Sequence, residues 1–107
     1  MLQIKDEFQN LIPPLTKDEF EQLEINCLEE GIRDAIVIWQ GYIIDGHNRY
    51  KIAQRHNLDY KTIDMQFNDS DYVKAWMIIN QFARRNIIDW QKGILGDNLK
   101  RLKKKLV

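Results

Sequence analysis

The stretch "AIVIWQGYIIDGHNRYKIA", residues 35–53, leaves this chain few folds to choose from. Two short apolar runs flank Gln40-Gly41, the pattern of a tight hairpin in which the glycine supplies the turn. The second run stops at Gly46 and passes directly into helix-forming residues, "HNRYKIAQRHN". Tyr50, Ile52 and Ala53 are placed to face a core, and Asn57 is a C-terminal stop. A strand that turns through glycine into a helix fixes the centre of the fold; the remaining segments must cover it.

Upstream, Pro13 and Pro14 stiffen the entry to a helix that opens with a capping box, Thr16 and Glu19. Phe20, Leu23, Cys27 and Leu28 follow at helical spacing, and Gly31 ends the segment. Downstream, "YKTIDMQF" is rich in strand formers, and "NDSD" is a cap cluster. It launches a helix on which Tyr72, Val73, Trp76, Met77 and Asn80 share a face. A last helix is predicted over residues 89–106. There Leu95, Leu99, Leu102 and Leu106 form an apolar stripe, and Gly93 and Gly96 weaken the first half by about 1 kcal/mol each. Helix, hairpin, helix, strand, helix, helix is a single α+β domain, with one small mixed sheet covered mainly on one side.

At 107 residues the chain supports one modest core, and 44% hydrophobic with 30% charged residues describes a globular sequence. No apolar run reaches the roughly 20 residues of a membrane helix, and the N-terminus lacks signal-peptide features. A lone cysteine, Cys27, suits a cytoplasmic, reducing location and the role of a buried thiol. Net charge is zero but unevenly spread. Residues 1–35 hold nine acids against three Lys or Arg, whereas residues 84–107 hold eight Lys or Arg against two acids. The basic end, with Arg85, Lys100, Arg101, Lys103, Lys104 and Lys105, either meets a polyanion such as DNA or is a solvated helix end.

Two readings stand open at the turn. In one, the backbone amides of His47, Asn48 and Arg49 are the unpaired donors of a helix start, Gly46 permits close approach, and Arg49 adds a planar cation. Those are the ingredients of a phosphate cradle, although no Walker pattern is present. In the other, Asp45 caps the helix and Arg49 pairs with a nearby acid. A second polar cluster, "NQFARRN", contains Asn80, Gln81, Arg84 and Arg85, and gains meaning only if the fold brings it to Gly46. His47, His56 and Cys27 lack the spacing of a zinc site, and an HNH-type nuclease needs histidines and acids that this chain does not have.

Together "LTKDEFEQLEINCLEEGIRDAIVIW", "IIDGHNRYKIA" and "NQFARRNI" resemble the N-terminal domain of the ParB family, of the ParB/sulfiredoxin fold, over about residues 11–90. Ala35 stands where the family often has proline. Gly46, Arg49 and Ala53 match the family's phosphate box, with His47 in place of its acid and Asn48 in place of its first arginine. His47 also occupies the position of the sulfiredoxin cysteine, which argues against sulfinic-acid reduction. In the later box Asn80 and Gln81 stand for the acid and amide, and Arg84 matches the arginine.

The resemblance implies a nucleotide-phosphate-binding module for CTP or ATP, acting in plasmid partition, replication or regulation. The implied contacts are Gly46, His47, Asn48, Arg49, Asn80, Gln81 and Arg84. With Asn80 in place of the carboxylate, a hard oxygen ligand suited to Mg²⁺ is missing, which weighs against enzymatic hydrolysis. Family partition proteins act as DNA clamps with a separate helix-turn-helix domain. This chain ends before such a domain and resembles the shorter members found with plasmids, phages and mobile elements. Two alternatives remain: an NTPase, phosphotransferase or nuclease of the same fold, and a catalytically silent module that forms a homodimer through its C-terminal helix.

Overall fold

Both apolar runs of the central stretch are strands in a computed structural model, which describes residues 2–83. β1 (Ile36–Trp39) and β2 (Tyr42–Asp45) pair antiparallel around Gln40 at φ 51° and Gly41 at φ 82°. Two positive φ values in a two-residue turn match the twist of the flanking strands, and glycine takes the second without strain. β2 leads through Gly46 into α3 (His47–His56), which ends at Asn57 in the left-handed region. α3 carries the chain back across the sheet, so that β3 (Thr62–Asp64) pairs parallel to β1 on its other edge, in the order β2-β1-β3.

The remaining elements are helical. α1 is Asp6–Gln9. α2 is Lys17–Glu30, and its capping box is complete: Thr16 Oγ1 accepts from the Glu19 amide at 3.1 Å, and Glu19 Oε1 accepts from the Thr16 amide at 2.9 Å. α4 is Ser70–Phe82, capped by the Asp69 carboxylate, which accepts from the Asp71 and Tyr72 amides. Among the described residues no helix is long and apolar enough to cross a membrane.

The sheet is covered on both faces, not mainly on one. Ile36, Ile43 and Tyr50 form a cluster on the α3 side, joined by Ile38 and Tyr60, with α2 packed outside α3. On the other face Val37, Trp39 and Ile44 pack with Phe8 of α1 and with Val73 and Met77 of α4. The unbroken apolar run of β1 carries this information, because a strand buried on both sides has no polar face to alternate with.

Four further expectations change. α1 was not anticipated; four residues are too few to show a helical period, and Phe8 at 0% exposure holds the turn in place. The strand expected across residues 60–67 narrows to three edge residues, all exposed. Leu28 and Tyr72 face outward at 51% and 41% exposure. Ile78 is buried in α4 where the sequence pattern pointed to Tyr72. The predicted helix over residues 89–106, its leucine stripe, Arg84, Arg85, Lys100, Arg101, Lys103, Lys104 and Lys105 all lie outside the described residues.

Candidate functional site

The pairing of β1 with β2 slips by one residue between Val37 and Ile38, so that Asp45, not Ile44, lies opposite Val37. Such bulges re-aim side chains beside turns. Asp45 is 7% exposed, and its carboxylate meets the Arg49 guanidinium one helical turn further on, at 3.3 Å. Arg49 is itself 8% exposed and donates to the Ala35 carbonyl at 3.1 Å. Of the two readings open at this turn, the arginine–acid pair is therefore present. Asp45 is the partner and not the cap, because the N-cap of α3 is Gly46.

Gly46 has φ 103° and ψ 24°, a conformation that side-chain-bearing residues rarely adopt. A Cβ there would stand 3.0 Å from Arg49 Nη2 and 3.2 Å from Ile36 Cγ1. The glycine thus serves two ends: it turns the chain from strand to helix, and it leaves room for the guanidinium to lie against the turn.

α3 begins without a side-chain cap. The Tyr50 amide is the first to bond back, to the Gly46 carbonyl at 2.8 Å, so the amides of His47, Asn48 and Arg49 are the open donors of the first turn. Two side-chain nitrogens sit among them. Arg49 Nε and His47 Nε2 are buried and have no hydrogen-bond partner. Buried polar atoms are nearly always paired, so the orphaned Arg49 Nε–H marks a place where an acceptor is wanted, whereas His47 Nε2, on a neutral ring whose other nitrogen bonds the Ile43 backbone, is a lone pair that wants a donor.

Burial pushes the His47 imidazole below its ordinary value of 6.5, opposed by the Asp45 carboxylate and by a hydrogen bond with the Ile43 backbone. Folding therefore favours the neutral ring, and between the two pKa values the unfolded chain binds more protons there. The contribution is intact above the unfolded value of about 6.5 and is lost as the pH falls through the lower folded value. Denaturation midpoints are expected to drop as the pH is taken from about 8 to about 5, and His47→Gln is expected to flatten that drop. An equal acid slope in the variant would assign it to other groups.

Beside this turn a groove of about 440 Å³ opens between the start of α2 and the outer face of α3. Asn48, Lys51 and Arg55 line it from α3, with Lys17, Phe20, Glu21 and Glu24 from α2. Lys51 Nζ stands 5.4 Å and Arg55 Cζ 5.6 Å from the Phe20 ring centroid, so both cations lie over its face. Glu24 accepts from Arg55 at 2.9 Å and bonds His56 at 2.8 Å; those bonds, His56 first, hold its carboxyl below the usual range. Lys51 and Arg55 were missed as site residues. Their spacing, three from Asn48 to Lys51 and four more to Arg55, was the available signal, since it puts all three on one helix face.

Of the residues predicted for the site, Gly46, His47, Asn48 and Arg49 are together at the start of α3. Asn80 and Gln81 lie half-buried on the last turn of α4, across the sheet from α3, and among the described residues no hydrogen bond or ion pair joins them to the Gly46 turn. Cys27 is buried on α2, and burial raises its thiol pKa, as expected for an unreactive cysteine. Among the described residues no three His, Cys, Asp or Glu side chains gather in a metal-binding arrangement.

No protein-family model and no curated protein matches this sequence. The fold does have a solved counterpart: a Pnob8-like ParB-N domain superposes with a TM-score of 0.72 at 17% sequence identity. The match covers 98% of this chain but 42% of that one, so the chain spans less than half the length of the solved molecule. At this identity the likeness is one of backbone architecture, and it agrees with the α+β arrangement built up above: the chain has a ParB-N-like fold.

Proposed function

We propose that this chain is a ParB-like module that binds the phosphates of a nucleotide at the start of α3, in a process involving DNA. The observation that carries the reading is the open first turn of α3, with its uncapped amides and the orphaned Arg49 Nε. A phosphate oxygen supplies acceptors for the amides and for Arg49 Nε, and the positive end of the helix dipole favours its charge. The ParB-N-like fold supports the same assignment. Asp45 already neutralises much of Arg49, so the amides, and not a free guanidinium, would do most of the holding. Lys51 and Arg55 at the adjoining groove extend the positive surface on which the rest of a nucleotide would lie. Arg84 would add charge at the phosphate, and Arg85, Lys100, Arg101, Lys103, Lys104 and Lys105 would add DNA affinity that falls steeply with salt.

Calorimetric titration with CTP, ATP, GTP and inorganic phosphate, with and without Mg²⁺, tests the reading. Wild-type chain is expected to bind at least one nucleotide. Asn48→Asp is the informative variant, because an acid in the first turn favours the helix yet repels a phosphate. It should fold normally and bind about tenfold more weakly or worse. Absence of binding by the wild type to all four compounds would sink the proposal. Turnover of a nucleotide would move the protein into the enzyme class.

A further inference from the structure

The outward face of α2 combines exposed apolar residues with unanswered negative charge. Ile25 and Leu28 are 48% and 51% exposed, and Asp18, Glu21 and Glu29 fall on the same side of the helix at spacings of three and four. None of these three acids has an ion-pair partner among the described residues. Glu24 and Glu30 differ, being engaged by Arg55 with His56 and by Arg33. An apolar pair ringed by free carboxylates is suited to a partner that is apolar along one stripe and basic beside it.

This chain contains such a partner. Leu95, Leu99, Leu102 and Leu106 recur at spacings of four, three and four, among Lys92, Lys100, Arg101, Lys103, Lys104 and Lys105. The eleven residues between Ala83 and Leu95 extend to about 36 Å. The exposed residues of α4, Tyr72 and Ile79, lack a comparable surplus of acids, since that helix carries one acid and one lysine.

We propose that the outer face of α2 docks the chain's own basic, leucine-striped segment, residues 92–106. Ile25 and Leu28 receive the leucines while Asp18, Glu21 and Glu29 pair with the lysines. The docking uses no residue of the Gly46 turn, although Glu21 also lines the groove beside it, and lysines held on α2 are not free for DNA.

Carbodiimide coupling tests it on the unmodified protein. The reagent joins a carboxylate to a lysine amine in salt-bridge contact, and peptide mass spectrometry identifies the pair. Using a mixture of isotopically light and heavy chains distinguishes links within one chain from links between two. The expected result is intrachain coupling of Asp18, Glu21 or Glu29 to lysines 92–105, reduced at least about threefold in Ile25→Ser/Leu28→Ser and reduced again at high salt. The two serines replace exposed residues, so the fold should be undisturbed. Coupling only between chains would assign the face to a second copy and overturn the proposal, as would the absence of any α2 link to that segment.

Discussion

Asp45→Ala is expected to destabilise the fold by roughly 3–5 kcal/mol, the usual consequence of removing one partner of a buried ion pair. The remaining Arg49 guanidinium, 8% exposed, would keep the Ala35 carbonyl and lose its counter-ion. Chemical denaturation should report the change as a lower midpoint at unchanged slope. A loss below about 1 kcal/mol, the range of exposed pairs, would mean that the pair is effectively solvated. The double replacement Asp45→Leu/Arg49→Met should recover most of the stability, because an apolar pair of similar volume needs no desolvation of charge. That variant also separates scaffold from ligand contact. Nucleotide binding that survives in it would come from the helix-start amides, whereas loss with a retained fold would assign Arg49 a direct part.

Phe8→Ala is the second large effect, about 3–5 kcal/mol, as for other fully buried aromatic truncations. Phe8 has no exposed surface and meets Trp39 edge-on, with ring centroids 6.1 Å apart. α1, a helix of four residues, has no stability of its own and persists through this side chain. Next to it, Gln3 extends the sheet by a single parallel bridge to Tyr42. Loss of Phe8 should therefore release residues 2–9 together, which amide hydrogen exchange would show as lost protection of the Ile43 amide that bonds the Gln3 carbonyl. A variant of near-wild-type stability would make α1 an ornament of the fold.

The turn chemistry was readable before any coordinates. Gln40-Gly41 made the hairpin, Thr16 with Glu19 started α2, Asp69 started α4, and Asn57 stopped α3. Each of these is a local event, decided by residues within a few positions of one another. Arg49 was harder. Its spacing of four from Asp45 allowed the ion pair and did not require it, because the pairing depends on a bulge that swings Asp45 toward α3. The cover on the second sheet face went unread for a similar reason. It needed α1, too short to announce itself, and α4 to meet across Trp39.

The sequence by itself determined the strand–glycine–helix turn, because φ 103° at Gly46 with the helix-forming run behind it leaves the backbone little else to do. It also determined which residues gather there, since Gly46 to Arg49 are consecutive. What only the tertiary structure decided is the state of those residues. β1 supplies the Ala35 carbonyl at its entry and the Ile36 side chain that hold Arg49 in the turn, and burial leaves Arg49 Nε and His47 Nε2 without partners. Sequence spacing places donors along a helix; only packing against a distant strand determines which of them lose their water and still lack a partner.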